Sequence, residues 1–279
     1  MVAALTGTTP EGVTTGNPGD MITSTDGSVW VKATGTGNTG WGKAASASSG
    51  LGRMRSWTMN GNAATVTAVG MTAPTAIGTA TTRNVATTNV FTQVPRLGYV
   101  SAAVAASLAG PRGAALQFFR GNAASLGGFR MRFSFGISDA VFSAAGRMFL
   151  GMTGSIAAPT NVEPSTLTNC FGIGHGAADT TLRIYSGNAG AGTPVDLGVN
   201  FPANTTNTHW YQVEFVALSN TATMTYEVRR AGTTFVATGT ITTPPVNTQL
   251  LGIQMWRTNN AAAVAVGLDV GDVYAYLDY

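Results

Sequence analysis

From Gly127 onward the chain alternates. Phe129, Met131, Phe133, Phe135 and Ile137 are separated by Arg130, Arg132, Ser134 and Gly136. A strict period of two puts the apolar set on one face of an extended strand and the intervening set on the other. Arg130 and Arg132 therefore share the polar face. The same period recurs at Tyr211, Val213, Phe215 and Ala217 against Gln212 and Glu214, and at Met224, Tyr226 and Val228 against Thr225, Glu227 and Arg229. It recurs again at Val264, Val266, Leu268 and Val270 against Ala265, Gly267 and Asp269. Turn-forming clusters fall between these runs: Gly187-Asn188, Ser219-Asn220, Ala231-Gly232 and Thr258-Asn259-Asn260. Short half-buried strands spaced by such clusters predict an all-β chain built on an antiparallel β-sandwich.

The upstream half is less regular. Residues 46–100 scatter Val, Thr and aromatic side chains between Gly, Pro and Asn at short intervals, which reads as short strands with many turns. No long segment has a 3.6-residue period, and the Ala-rich run Ser101–Leu108 lacks an amphipathic face. The sandwich domain is therefore assigned to 46–279, with a less regular β-rich lead-in to about residue 126.

Residues 1–45 form a separate attachment segment. Residues 1–15 are Thr/Gly-rich without periodicity and read as a flexible or partner-ordered tip. Pro18-Gly19-Asp20 is a turn, Met21 and Ile22 begin a strand, and Asp26-Gly27 is a hairpin turn signal. Val29–Lys32 is the return strand, Gly35–Gly40 a loop, and Trp41 closes it. An isolated two-stranded hairpin is marginal in water. Trp30 and Trp41 are accordingly assigned to packing the hairpin on another surface, either copies of itself about an axis or the next domain.

Composition sharpens this picture. Only 10% of the 279 residues are charged, against roughly 25% in an average domain. A surface so poor in charge is easily desolvated and suits burial between subunits. The 44% hydrophobic content and net charge of +3 exclude a disordered chain. The Lys and Arg residues form no basic stripe, which argues against nucleic acid. The weakly polar run Tyr99–Gly110 is too short and Ala/Ser-rich to cross a bilayer. The start, MVAALTGTTPEG, has neither the basic nor the apolar region of a secretory signal, so synthesis in a cytoplasm without export by that route is expected.

Enzymatic chemistry finds little support. The twelve acids are scattered, and Asp269 and Asp272, three apart, read as strand-end and turn residues. His175 in GIGHGAAD reads as a loop histidine, exposed or bonded to backbone, and His209 as a strand cap. The single cysteine, Cys170, reads as a small buried hydrophobe at a strand start. With two His and one Cys, no transition-metal site and no cofactor are expected. Sugar binding would need a ring and groups that satisfy hydroxyls, held on loops of a rigid scaffold. Trp256, Arg257, Asn259 and Asn260 offer that set, and Trp210, near Asn204 and Asn207, a second one. For Trp256 and Trp210, core or inter-subunit packing is the favoured reading over sugar contact.

The stretch PGDMITSTDGSVWVKATGTGNTGW resembles a hairpin module of bacteriophage tail and fibre proteins. The stretches GGFRMRFSFGISD (127–139), RMFLGMTG (147–154), NVEPSTLTNCFGIGHGAAD (161–179), WYQVEF (210–215) and MWRTNNAAAVAVGLDVGDVYAYLDY (255–279) resemble a phage tail-fibre or minor structural protein tip. The two resemblances cover about residues 16–44 and 95–279. They imply a non-enzymatic virion component with a jelly-roll or concanavalin-like β-sandwich, a homotrimer that joins other virion proteins through residues 1–45 and contacts a host cell-surface glycan. They bring no catalytic residues. A head fibre or capsid decoration gripping the shell through its N-terminus is the alternative, and so short an N-terminal anchor suits it.

Overall fold

The computed structural model describes residues 3–4, 9–23, 29–45, 54–124, 126–141, 143, 145–203 and 205–277. The chain divides into two units, Met1–Arg53 and Met54–Tyr279. The first holds a four-stranded sheet in the order β1 (Ala3–Ala4), β2 (Met21–Thr23), β3 (Val29–Lys32) and β4 (Trp41–Ala45). β2, β3 and β4 pair antiparallel, and β1 adds parallel to β2. The Asp26-Gly27 turn lies outside the described residues.

In this unit Trp41 is buried by its own chain. Its indole N–H donates to Thr14 O at 2.7 Å, and Gly16 leaves the space its ring occupies, since a Cβ there would lie 2.6 Å from the ring. Both Glu11 carboxylate oxygens accept backbone N–H groups, from Gly40 at 3.1 Å and Trp41 at 2.9 Å. Those two bonds hold the Glu11 carboxyl below the usual carboxylate range. Lys32 is buried, bonds Thr39 O and sits 5.7 Å from the Trp41 ring centroid. Residues 9–16 thus fold over Trp41. The expectation that this ring needs a neighbouring surface is corrected: the segment read as a tip supplies its cover. Trp30 is half-buried.

The second unit is a sandwich of sixteen strands in two antiparallel sheets. In chain order they are β5 (Met54–Asn60), β6 (Thr65–Val69), β7 (Thr75–Ile77), β8 (Thr79–Thr82), β9 (Leu97–Val100), β10 (Leu108–Arg112), β11 (Phe129–Ile137) and β12 (Arg147–Thr153). Then come β13 (Cys170–His175), β14 (Arg183–Gly187), β15 (Val195–Asp196), β16 (Tyr211–Ala217), β17 (Met224–Arg230), β18 (Val236–Ile241), β19 (Gly252–Thr258) and β20 (Gly267–Leu277). One sheet has seven strands, β15-β14-β13-β12-β19-β10-β7. The other has nine: β18-β17-β16-β11-β20-β5-β6, with β9 on the first half of β20 and β8 on β9.

The alternation in β11 does what a period of two requires. Phe129, Met131, Phe133 and Phe135 enter the core, and Arg130 and Arg132 stay exposed. The sheets meet through aromatic contacts: Phe171 of the seven-stranded sheet stacks on Phe129 at 5.7 Å and meets Phe215 edge-on at 5.0 Å.

The two outer faces differ. On the seven-stranded sheet Phe149, Cys170, Tyr185 and Trp256 form a second small core, against which Val162 and Leu167 of the 154–169 segment pack. Every residue of β19 is buried as a result. On the nine-stranded sheet one end is closed by residues 83–96. There Phe91 meets Trp210 edge-on at 5.5 Å, and Gly136 makes room for the Phe91 ring, which an added Cβ would approach to 2.4 Å. The rest of that face is open, and β11, β16 and β17 alternate buried with half-buried or exposed residues across it.

Candidate binding face

Strand register puts the outward residues of the open face in rows. Glu227 stands opposite Glu214, Glu214 opposite Arg132, and Arg132 opposite Tyr274. Beside this row run Arg229, Gln212 and Ser134, and on the other side Thr225, Val216, Arg130 and Tyr276. Arg132, Ser134, Gln212, Glu214, Glu227, Arg229, Tyr274 and Tyr276, with Asp272, border a groove of about 330 Å³. A second groove of about 510 Å³ continues over Thr225, Thr238 and Thr240.

Two glutamates directly opposite each other on neighbouring strands repel. Here arginines offset that repulsion. Arg130 Nε lies 2.9 Å and Arg132 Nε 3.7 Å from Glu214, and Arg229 Nε lies 2.5 Å from Glu227. Asp272 accepts the Met59 N–H at 2.9 Å and the Tyr274 hydroxyl at 2.8 Å. That hydroxyl bond, more than burial, pushes the Tyr274 phenol up. Three guanidiniums thus face three carboxylates, and the groove is close to neutral while dense in donors and acceptors. Tyr276 is 46% exposed and presents its ring to solvent. Such a surface suits a neutral polyhydroxylated ligand: planar charged groups bond paired hydroxyls, and a tyrosine ring covers an apolar flank. Both glutamates are engaged in ion pairs.

The residues offered for sugar contact lie elsewhere: Trp210 and Trp256 take the core placement, and for Arg257 and Asn259 the expectation of sugar contact is corrected. Trp210, Trp256, Arg257 and Asn259 are fully buried. Trp210 lies under Phe91, and Trp256 packs on Phe149 at 6.3 Å. Arg257 makes a bidentate pair with buried Asp139, at 2.9 and 2.6 Å, and its third nitrogen meets His175 Nε2 at 2.7 Å. The Asn259 amide donates to Val104 O and Val264 O and accepts the Ser107 N–H, so it ties two loops together. Asn260 is half-buried and accepts a bond from Asn161 at 3.2 Å. Asn204 lies outside the described residues.

The other candidates also serve the framework. His175 is fully buried, and burial followed by the Arg257 charge lowers its pKa to about 3, so it is neutral. Burial pushes the Cys170 thiol up to about 12. Asp269 is buried between Arg83 at 3.0 Å, Arg96 at 2.9 Å and the Ser138 hydroxyl at 2.6 Å, and does not converge with Asp272. Among the described residues no group of three or more His, Cys, Asp or Glu side chains is placed to hold a metal ion. Among the described residues no helix is long and apolar enough to cross a membrane.

The sequence pattern placed Asp272 only as a strand-end acid, and Tyr274 and Tyr276 went unread. Their signal was present: DVYAYL alternates, with both tyrosines on the polar phase. An aromatic residue repeated on the wet phase of a strand marks a surface that meets something.

No protein-family model and no curated protein sequence matches this chain. Solved structures do match in fold. Peanut lectin aligns with a TM-score of 0.51 at 12% identity, over 80% of this chain and 98% of its own. Arcelin-5, a lectin-like defense protein from Phaseolus vulgaris, aligns at 0.51 and 9% identity, over 81% and 99%. Lectin I from Ulex europaeus, in complex with the methyl glycoside of α-L-fucose, aligns at 0.50 and 10% identity, over 81% and 98%. The chain therefore has a lectin-like antiparallel β-sandwich fold.

Proposed function

We propose that this chain is a non-enzymatic component of a bacteriophage virion, a fibre or receptor-binding tip that contacts host-surface glycans through the open face of its nine-stranded sheet. Fold likeness at 9–12% identity carries no function by itself. The observation that carries the glycan reading is the open face: exposed Tyr276 beside Tyr274, among balanced guanidiniums and carboxylates. The virion reading rests on the resemblance of residues 16–44 and 95–279 to phage fibre proteins. Residues 1–45 join the chain to other virion proteins, and a homotrimer presents three such faces. Three weak sites on one rigid body raise avidity without any tight single contact. Light scattering on the purified chain tests the trimer, with three times the 28.5 kDa chain mass expected and a monomer contradicting it. A glycan array tests the face: binding is expected for the native chain and lost in Tyr276→Ala. Release of reducing ends from a bound polysaccharide would overturn the non-enzymatic part.

A further inference from the structure

The covered outer face of the seven-stranded sheet contains a further groove, unlike those of the open face. It lies between the 154–169 segment and strands β12 and β19, has a volume of about 420 Å³, and no charged side chain lines it. That volume falls within the roughly 300–1,000 Å³ of small-molecule sites.

The 154–169 segment is held in place before anything binds. Arg112 donates to Ile156 O at 2.5 Å. The Gln254 amide Nε2 donates to Ser155 O at 3.1 Å and Ala157 O at 2.8 Å. Further along, Arg147 bonds the Asn161 side chain at 2.9 Å and Glu163 at 2.7 Å. A groove whose wall is fixed this way loses little entropy on binding.

Gln254 points to a ligand. It is 94% buried (6% exposed) and lines the groove. Two carbonyl acceptors fix which end of its amide carries the NH₂, because only a donor satisfies both. Its carbonyl Oε1 is thereby left as the acceptor; no described residue donates to it, and it is open to solvent in the groove. An amide held this firmly, with one acceptor facing solvent, is a preorganised half-site. Around it stand hydroxyl and amide groups, Thr168 and Asn169 among them, with Leu167 and Pro159 as apolar flank.

We propose that this groove is a second binding site, for a neutral pyranose-sized ligand that gives a hydroxyl or amide N–H to Gln254 Oε1. The absence of charge selects against phosphorylated and carboxylated sugars, because nothing there would pair their charge. The site is independent of the open face on the other sheet.

The test is an NMR titration of the full chain, labelled with ¹⁵N, using methyl α-D-glucopyranoside, N-acetylglucosamine and glucose 6-phosphate. The neutral sugars are expected to shift the Gln254 side-chain amide and the Asn169 resonances with millimolar affinity, and the phosphate ester is not. Thr168→Trp, an exposed substitution that fills the groove, is expected to weaken those shifts at least about tenfold at unchanged melting temperature. Tyr276→Ala is expected to leave them intact, which separates this site from the open face. Absence of shifts at Gln254 with both neutral sugars, or equal shifts in Thr168→Trp, would overturn the proposal.

Discussion

Replacing Asp139 by Ala tests the buried framework most sharply. Asp139 and Arg257 are each fully buried, and the pair is bidentate at 2.9 and 2.6 Å. Asp139 also accepts the Gly267 N–H at 2.8 Å. The substitution leaves a guanidinium in the interior with His175 as its remaining side-chain partner, and that ring is neutral. Breaking a buried pair from one side costs about 3–5 kcal/mol. For a domain of this size each kcal/mol moves the melting temperature by roughly 2–4 °C, so a fall of about 6–20 °C is expected. The assay is calorimetry on native and Asp139→Ala chains at neutral pH. The double variant Asp139→Leu/Arg257→Met removes both charges and should recover part of the loss. What remains is the unmet His175 nitrogen and the unmet Gly267 N–H, about 1–3 kcal/mol each. A fall below about 2 °C in the single variant would refute the reasoning, because the pair would then behave as a solvated one. A double variant no better than the single would mean that shape rather than charge holds this site.

Further expectations follow from the same geometry. His175 binds its proton in the folded state only near pH 3, against about 6.5 when unfolded, so its contribution is complete above pH 6.5 and is lost as pH falls toward 3. The native chain should lose about 1.4 kcal/mol per pH unit through that window relative to His175→Gln, measured by urea unfolding, and parallel curves would contradict it. Gly136→Ala should destabilise by about 1–3 kcal/mol by driving Phe91 off Trp210, visible as a change in tryptophan emission on an otherwise folded chain. Glu11→Gln should speed amide exchange at Gly40 and Trp41, and the native chain should show the same loss of protection as pH drops below the carboxylate range.

The sandwich was legible because its central strands have one dry face and one wet one. Phe129 to Ile137, Tyr211 to Ala217 and Met224 to Arg230 are strands where the alternation places them. Period two misled where both faces are dry. In β19 the 154–169 segment covers the outer phase, so Trp256 is interior, and Arg257 lies on the inner phase with Ile253 and Met255. Trp210 is interior because Phe91 arrives over it from far along the chain. Arg257 could not be told from a surface arginine without knowing that Asp139 and His175 converge on it. In the first unit, the cover of Trp41 by Glu11, Thr14 and Gly16 is a contact across a loop with no periodic signal. Half of the binding face was visible, as Arg130 and Arg132 on one side of a strand. The other half needed Tyr274 and Tyr276 to be read as wet-phase aromatics and the register that sets Tyr274 opposite Arg132.

The central claim is that the open face of the nine-stranded sheet binds glycan. Its most direct test is calorimetric titration of one array-selected neutral oligosaccharide into the native chain and into Tyr276→Ala. Tyr276 is nearly half exposed, and a surface substitution of this kind changes stability by only about 0.5 kcal/mol, so lost binding would not reflect unfolding. The account predicts at least about tenfold weaker binding in Tyr276→Ala at an unchanged melting temperature. Equal affinity in the two chains would contradict it and move recognition off this face.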